Sequence, residues 1–360
     1  MGATASRAKR TTLAMVSAEA GVSMATVSKV LNGRSDVSPT TRARVEQLLR
    51  EHRYVPPSGR RFSPHARSIA LVFDDILSPY GCELLGGVVT AARDVDLDVV
   101  VTRTPQHGEH GGSDLDSAWG RRLGGSGRIG AIVAGAQLTE AQIDGFTLAQ
   151  LPLVIVDPLT RPSADVPSVG STNWAGGVTA GEHLVGLGHR RIAYVGGPTS
   201  STVDQARLHG YLSALSTAGL PTDRALITHG TFENRAGYAA ANRLFQLPDP
   251  PTAIFAASDQ IAFGVLTAAR ERGLDIPRDL SIVGFDDTFV AEWSSPRLTA
   301  VRQPLQEMGR VAVRTILRLA DGEALDALHV ELATALVVRE STAPPAGGAR
   351  GIVRTVRDAG

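Results

Sequence analysis

The stretch TLAMVSAEAGVSMATVSKVLNG, residues 12–33, shows the plan of the N-terminal part of this 360-residue chain. Apolar residues recur at helical spacing as far as Ala20, the pattern breaks at Gly21, and it resumes at Val27. A glycine in a short turn between two short helices is typical of a helix-turn-helix unit. The stretch therefore predicts two helices, the second of which begins after Ser23.

A third helix is predicted directly after this stretch. Ser38 and Pro39 suit the N-cap and the first turn of a helix, and Val45 and Leu49 then fall on one face. Three short amphipathic helices can share one small core. Residues 11–55 are therefore expected to form an all-α domain.

The second helix carries the candidate DNA-reading residues. In a helix-turn-helix unit this helix enters the major groove, and the residues near its start meet base edges. We expect Lys29 to reach a guanine edge or a phosphate, and Met24 and Ala25 to touch thymine methyl groups. Hydroxyl and amide side chains are further candidates for DNA contacts, although Ser23 and Ser38 could equally be helix caps. These candidates are Thr12, Ser23, Thr26, Ser28, Asn32 and Ser38.

The distribution of charge agrees with a nucleic-acid-binding head. The chain is neutral overall, yet residues 1–67 hold 12 basic against four acidic residues, a net charge of +8, and the rest carries −8. A basic module beside an acidic body is typical of a polyanion-binding domain attached to another unit. The alternative is that the basic surface is merely solvated.

The head resembles that of a known family. The motif AGVSMATVSKVLNG (residues 20–33), followed by VSPTTRARV (residues 37–45) and YVP (residues 54–56), is similar to the DNA-binding domain of the lactose-repressor (LacI) family. The resemblance implies a homodimeric regulator, usually a repressor, that binds double-stranded operator DNA under the control of a small effector. Met15 departs from the family, which usually has an acidic residue there.

The linker at residues 56–67, PPSGRRFSPHAR, departs further from that family. The family usually forms a hinge helix here, with a leucine that enters the minor groove, whereas this chain has Ser63 at that position and prolines that oppose a helix. We therefore predict an atypical hinge. Arg60 and Arg61 are expected to enter the minor groove or to hold phosphates instead.

The body alternates short apolar runs with helical segments. Such alternation predicts parallel sheets covered on both faces, here in two lobes: residues 68–170 with 300–320, and 171–299 with 321–340. The segments GHRRIAYVGGP (188–198) and SDQIAFGVLTAA (258–269) resemble the α/β periplasmic-binding-protein-like type I sensor of the same family. Residues 342–360 have little to bury and are predicted to be a disordered tail. The predicted strand runs are residues 69–73, 99–102, 129–135, 151–156, 191–197, 253–257 and 281–285.

Polar side chains that follow these strands predict an effector site, because open parallel sheets bind ligands beyond the carboxyl ends of their strands. Carboxylates can accept hydrogen bonds from ligand hydroxyls, an arginine can donate several, and aromatic rings can cover a sugar ring. The resemblance places five of the candidates in the effector pocket, namely Asp157, Arg207, Phe232, Ser258 and Asp286, and we add Tyr80 and Asp259.

Alternative roles stay open for several of these residues. Asp259, like Asp74, Asp75 and Asp287, could simply cap a helix. Trp174 and Trp293 could pack at the lobe interface or stack on a ligand. The expected effector is a carbohydrate, but a purine would use similar groups.

The motifs of several enzyme classes are absent. The only lysines are Lys9 and Lys29, which excludes a Walker P-loop, and no G-x-S-x-G or H-E-x-x-H occurs. Cys82 is the single cysteine, which excludes a thiolate zinc site and an iron–sulfur cluster, so no metal or cofactor is expected. Paired aspartates leave a glycosidase as an alternative.

Location and mode of action complete these expectations. The sequence shows neither a signal-like segment nor an apolar run long enough to span a membrane, so we expect a cytoplasmic protein without a membrane partner. A transport-type binding protein is the alternative with a similar sensor, and an activator is the alternative to a repressor.

Overall fold

The computed structural model describes residues 12–31, 37–52, 67–104, 113–160 and 165–346. The head consists of α1 (Leu13–Ala20), α2 (Met24–Leu31) and α3 (Pro39–Glu51). Gly21 ends α1 with a left-handed φ of 67°, which a glycine adopts without steric cost. The core shared by the three helices confirms the predicted helix-turn-helix. It contains Val16, Ala20, Val27, Val30, Val45 and Leu49.

The first lobe is a six-stranded sheet with helices on both faces. Its strands are β1 (Ser68–Phe73), β2 (Asp98–Arg103), β3 (Gly130–Ala134), β4 (Leu153–Val156), β5 (Ser168–Ser171) and, from the C-terminal part, β11 (His329–Leu332). Their order across the sheet is β11-β5-β4-β3-β1-β2, and every pairing is parallel. The inner strands are buried along their length, as the continuous apolar runs predict. Its elements up to residue 171 are β1 (Ser68–Phe73), α4 (Pro79–Arg93), β2 (Asp98–Arg103), α5 (Ser113–Gly125), β3 (Gly130–Ala134), α6 (Glu140–Leu148), β4 (Leu153–Val156) and β5 (Ser168–Ser171).

The second lobe has the same plan, with strand order β12-β10-β9-β8-β6-β7 and one antiparallel strand, β12. Its first elements are α7 (Asn173–Gly186), β6 (Ile192–Gly196), α8 (Thr202–Thr217), β7 (Ile227–His229), α9 (Asn234–Leu244), β8 (Ala253–Ala256) and α10 (Asp259–Glu271). The remaining elements of the chain are β9 (Ser281–Asp286), α11 (Phe289–Trp293), β10 (Thr299–Arg302), α12 (Leu305–Ala320), β11 (His329–Leu332) and β12 (Ala335–Val337).

The division of the C-terminal part between the lobes differs from the prediction. β10 pairs with β9 in the second sheet, so residues 300–302 do not belong to the first lobe. β11 pairs with β5, so residues 329–332 do not belong to the second. The assignment was wrong because β11 is a half-exposed edge strand without an apolar run. The chain therefore crosses between the lobes three times, after β5, after β10 and after β11.

The predicted tail begins too early. Thr342 contacts His183 at 3.0 Å between Oγ1 and Nε2, and the backbone of Ala343 exchanges two hydrogen bonds with the hydroxyl of Ser281. Residues 342 and 343 are thus bound to the second lobe through hydrogen bonds, which a count of apolar residues does not reveal. Residues 347–360 and most of the hinge lie outside the described residues.

No helix in the described ranges combines the length and the apolar character that a membrane span requires.

Candidate DNA-binding surface and effector cleft

The start of α2 presents an exposed face. Met24 is 57% exposed, and Ala25 and Lys29 are exposed beside it, whereas Val27 and Val30 are buried against the other two helices. The exposed Met24 and Ala25, and Lys29 one turn after Ala25, can meet base edges without disturbing the core. The fold therefore leaves the three predicted base-contact residues accessible together.

The hydroxyl groups around α2 and α3 form local caps. The hydroxyl of Ser23 accepts a hydrogen bond from the Thr26 amide at 3.1 Å, and Ser38 accepts one from the Thr41 amide at 3.3 Å. Thr12 caps α1 by accepting from the Met15 amide. The capping role thus exists without DNA, and these exposed hydroxyls can still face a phosphate. Of the other DNA candidates, Ser28 is half-buried on α2, and Asn32, Arg60 and Arg61 lie outside the described residues.

A cleft of about 300 Å³ lies between the two lobes, at the carboxyl ends of their parallel strands. All seven predicted effector residues line it. The first lobe contributes Tyr80 and Asp157, and the second contributes Arg207, Phe232, Ser258, Asp259 and Asp286.

On the first-lobe wall, Tyr80 and Asp157 form a buried pair. The tyrosine hydroxyl donates to Oδ2 of Asp157 at 2.8 Å, and Asp157 is only 4% exposed. Burial raises the pKa of Asp157 and raises the pKa of Tyr80 well above its usual value. The second carboxylate oxygen of Asp157 is buried without a hydrogen bond, so this wall offers an acceptor whose capacity is not used.

On the second-lobe wall, Arg207 is buried and held from several sides. Its Nε donates to Oδ1 of Asn173 at 2.8 Å, its Nη1 donates to the carbonyl of Ala257 at 2.6 Å, and its guanidinium carbon lies 3.8 Å from the centre of the Phe285 ring. Nη1 is also 3.7 Å from Oδ1 of Asp286. This packing fixes the planar guanidinium in one orientation.

Asp286 stands at the end of β9 with a φ of 102°, a backbone conformation that few non-glycine residues adopt. Gln303 donates to its Oδ1 at 2.7 Å and accepts from the hydroxyl of Ser171, at the end of β5 in the first lobe. Burial raises the pKa of Asp286 to about 6, against the lowering effect of Arg207. A buried polar chain therefore joins the two lobes behind the cleft.

Ser258 and Asp259 begin α10, and both have structural partners. The hydroxyl of Ser258 accepts from the Ile261 amide as an N-cap and donates to the carbonyl of Phe232 at 3.3 Å. The backbone and hydroxyl of Thr288 both donate to Oδ2 of Asp259. Burial, and then the charge of Asp286, raise the pKa of Asp259 well above its usual value.

The residues for which the sequence left alternative roles lie in different places: some line the cleft and others do not. Asp74 and Asp75 line the cleft, where Asp74 accepts from Thr104 and Asp75 from the Leu77 amide. Asp287 instead pairs with Arg302 at 2.7 Å and with Arg339. Trp293 and Trp174 are 77% and 52% exposed and are not among the residues that line the cleft.

Asn173 and Gln303, which orient Arg207 and Asp286, were not predicted from the sequence. Asn173 follows β5, a strand of four residues that the apolar pattern did not predict, and Gln303 follows β10. Glu233 was not predicted either; it is a sixth carboxylate on the cleft wall beside Asp74, Asp75, Asp157, Asp259 and Asp286. Across the described ranges, no group of three or more His, Cys, Asp or Glu side chains is arranged to hold a metal ion.

Comparison with known proteins agrees with this architecture. Residues 12–57 match the model of the bacterial regulatory proteins of the lacI family, and residues 182–342 match the periplasmic binding protein-like domain. The chain is 34% identical over 348 residues to the HTH-type transcriptional regulator CelR of Thermobifida fusca, covering 93% of this chain and 99% of that protein.

Two solved structures match over almost the whole length. The complex of the transcriptional regulator CelR with cellobiose is 33% identical, with a TM-score of 0.69 over 92% of this chain and 100% of the other. The lac repressor dimer bound to operator and the anti-inducer ONPF is 27% identical, with a TM-score of 0.66 over 93% and 100%. With a helix-turn-helix head, a two-lobed sensor and relatives that match along both, the chain belongs to the LacI family of bacterial transcriptional regulators.

Proposed function

We propose that this regulator is a repressor that binds operator DNA as a homodimer and whose DNA affinity is changed by a neutral sugar in the cleft. The observation that carries the proposal is the composition of the two cleft walls: Tyr80 and Asp157 come from one lobe, Arg207 and Asp286 from the other. A ligand that contacts both walls stabilises one arrangement of the lobes. By linkage, DNA and ligand then change each other's affinity by the same factor.

The chemistry of the cleft favours a polyhydroxylated effector. Buried carboxylates accept hydrogen bonds from hydroxyl groups, and the rings of Tyr80 and Phe232 offer apolar faces. Six carboxyl groups line the cleft, and the charge of Arg207 already faces Asp286. The excess of carboxyl groups over basic groups in the cleft disfavours the binding of anions such as sugar phosphates. The relatives that match along the whole chain are transcriptional regulators, which favours ligand binding over catalysis in this cleft.

The exposed face of α2 would read the operator. Lys29 would bind a guanine edge or a phosphate, Met24 and Ala25 would contact thymine methyl groups, and the surrounding hydroxyl groups would bind phosphates. We propose the same for the residues outside the described ranges, with Asn32 at a phosphate and Arg60 and Arg61 in or near the minor groove. A regulator that binds operator DNA would act in the cytoplasm.

Two heads on one operator require a dimer, and both lobes offer exposed apolar side chains for it. Val89 on α4 is 46% exposed, and Phe263 on α10 is 43% exposed. The lac repressor dimer on its operator is the solved example that supports a symmetric pairing of this kind. We therefore assign the homodimer contacts to α4 of the first lobe and α10 of the second.

The DNA-binding part of the proposal is tested with purified full-length protein and genomic fragments at physiological salt. The parent protein should select a small set of fragments, and the double variant Met24→Ala, Lys29→Ala should lose that selection. Arg243→Ala, an exposed arginine on α9, is the matched control and should select like the parent. Weak, salt-sensitive and unselective binding by the parent would refute an operator-binding function. Increased transcription from a selected promoter when the protein is added would favour an activator.

A further inference from the structure

A closed ring of buried polar contacts lies behind the effector cleft. The hydroxyl of Ser171 donates to Oε1 of Gln303 at 2.5 Å, and Nε2 of Gln303 donates to Oδ1 of Asp286 at 2.7 Å. Oδ1 of Asp286 faces Nη1 of Arg207 at 3.7 Å, and Nε of Arg207 donates to Oδ1 of Asn173 at 2.8 Å. Nδ2 of Asn173 then donates to the carbonyl of Ser171 at 3.0 Å, which closes the ring. All of its members are buried, so breaking one contact leaves polar groups away from water.

The ring connects two of the three places where the chain crosses between the lobes. Ser171 ends β5 and Asn173 begins α7, so both belong to the first crossing. Gln303 directly follows β10 and belongs to the second crossing. When two lobes change their angle, a few residues in such connections absorb the rotation of the backbone. The ring therefore joins the parts of the backbone that must adjust when the lobes move.

Two members of the ring are also effector candidates. Arg207 and Asp286 line the cleft, whereas Ser171, Asn173 and Gln303 do not. Within the part of the chain that the structure describes, Nη2 of Arg207 forms no hydrogen bond, so this nitrogen is left for a ligand. A ligand that binds Arg207 and Asp286 from the cleft therefore acts on side chains whose other contacts hold the two crossings.

We propose that Asn173 and Gln303 are positioning residues that transmit effector contacts at Arg207 and Asp286 to the two crossings and so set the angle between the lobes. The inference rests on the effector site proposed above and adds a route to it. A ligand that shifts Arg207 or Asp286 changes the hydrogen bonds at both crossings, and it thereby favours one arrangement of the lobes over another. Bridging of the two cleft walls by the ligand does not require this ring.

A second set of contacts at the crossings provides the matched control. The hydroxyls of Thr172 and Thr334 lie 3.0 Å apart, and the Thr334 amide donates to Oγ1 of Thr172 at 3.0 Å, which joins the first crossing to the third. Neither threonine lines the cleft. Thr334→Val removes the contact between the hydroxyls and nearly keeps the shape of the side chain. It perturbs a crossing without changing any side chain of the ring.

The first test needs neither DNA nor ligand. Ser171→Ala, Asp286→Asn and the double variant form a mutant cycle, which is measured by urea unfolding of the full-length protein. Because Gln303 holds both residues, the two effects should depart from additivity by more than about twofold in the unfolding equilibrium constant. A cycle of Asp286→Asn with Thr334→Val should be additive within about twofold. Additivity in the first cycle would overturn the ring and leave the effector assignment intact.

The second test measures the control of operator binding. The probe is the sugar among glucose, galactose, xylose, maltose and lactose that raises the Tm of the parent most. Ser171→Ala should still bind this sugar in calorimetry, yet the factor by which saturating sugar changes the operator Kd should fall by about twofold or more, as it should in Gln303→Met. Thr334→Val should respond like the parent.

Two outcomes of the second test would overturn the transmission through the ring. The first is an undiminished sugar response in both ring variants, or an equal loss in Thr334→Val, with a normal response in the parent; the proposed function would then stand. The second is a parent whose operator Kd does not respond to any of these sugars, and it would count against the proposed function as well, even where the unfolding cycle confirms the ring.

Discussion

The DNA-reading face of α2 and the effector cleft are built in opposite ways. Met24, Ala25 and Lys29 are exposed side chains on one short helix, and the core beneath them does not depend on them. Asp157, Arg207 and Asp286 are buried and come from both lobes. Arg207 faces Asp286 as an ion pair, and each of the three is hydrogen-bonded by a further side chain. Changes on the helix should therefore alter binding alone, whereas changes in the cleft should alter stability and binding together.

The largest effect is expected from Arg207→Met. The substitution leaves Asp286 buried without its cation and leaves Asn173 and the Ala257 carbonyl without their donor. Removing one partner of a buried charge pair costs about 3–5 kcal/mol of the free energy of unfolding. Urea unfolding measures it, with the exposed Arg235→Met as control. A loss below about 1 kcal/mol would mean that the contacts of Arg207 with Asp286, Asn173 and the Ala257 carbonyl do not stabilise the folded protein.

The next effect is the pH dependence of stability that Asp286 contributes in the cleft. Burial raises the pKa of Asp286 to about 6, so the folded state holds a proton that the unfolded state releases near pH 4. The sign follows from linkage: the folded state binds more protons, so this group lowers stability as the pH rises from about 4 to 6, by at most about 3 kcal/mol. Below pH 4 the group has no effect.

Asp286→Asn is the variant that isolates this contribution. Because an amide does not titrate, the parent should lose stability relative to the variant as the pH rises from 4 to 6, and urea unfolding at several pH values measures the difference. The exposed Asp249→Asn should track the parent. Parallel pH profiles for the parent and Asp286→Asn would contradict a raised pKa at this site.

On the helix, Lys29→Ala should weaken binding to a selected operator by about 1–3 kcal/mol through the loss of a guanine contact, while the free energy of unfolding of this exposed position changes by less than about 1 kcal/mol. Fluorescence anisotropy with labelled operator measures the first quantity, and urea unfolding measures the second. A fall in stability of more than about 1 kcal/mol would remove the contrast between the helix and the cleft.

The smallest effect is expected from Tyr80→Phe. The substitution removes the hydrogen bond to Oδ2 of Asp157 and leaves a buried carboxyl without this donor, at a cost of about 1–2 kcal/mol. Because that bond lowers the pKa of Asp157, the variant should also bind its proton more tightly. Carboxyl chemical shifts followed by NMR report this change. An unchanged titration of Asp157 would show that the pair is not formed in solution.

The contrast between the local α2 face and the cleft, which is assembled from distant segments, also explains which features could be predicted from the sequence. The turn glycine, the helical spacing and the exposed α2 residues are local features, so the head could be predicted from one continuous segment. The buried strands β1, β3, β4, β6, β8 and β9 were predicted from their apolar runs, and the carboxyl ends of such strands bring their following residues together. That rule accounts for Asp157, Ser258, Asp259 and Asp286, which lie at or just after the ends of β4, β8 and β9. The family resemblance pointed to Arg207 and Phe232, and the aromatic ring suggested Tyr80.

The missed features depend on contacts that are distant in the chain. β5, β7, β11 and β12 are three or four residues long, and the last three are largely half-exposed, so they leave no clear pattern. Asn173 and Gln303 are ordinary polar residues until the fold places them beside Arg207 and Asp286. The crossings between the lobes follow from the pairing of β10 with β9 and of β11 with β5. The sequence of a single segment does not reveal either pairing.

The control of the head by the cleft is tested by measuring operator affinity with and without ligand. A selected fragment is titrated with the parent protein alone and with each neutral sugar that raises its Tm, and the series is repeated with Asp157→Asn. Because the cleft and the head are coupled, we expect a stabilising sugar to change the operator Kd of the parent by at least about fivefold and to change it far less in the variant. A sugar that binds the cleft and leaves the operator Kd unchanged would contradict it.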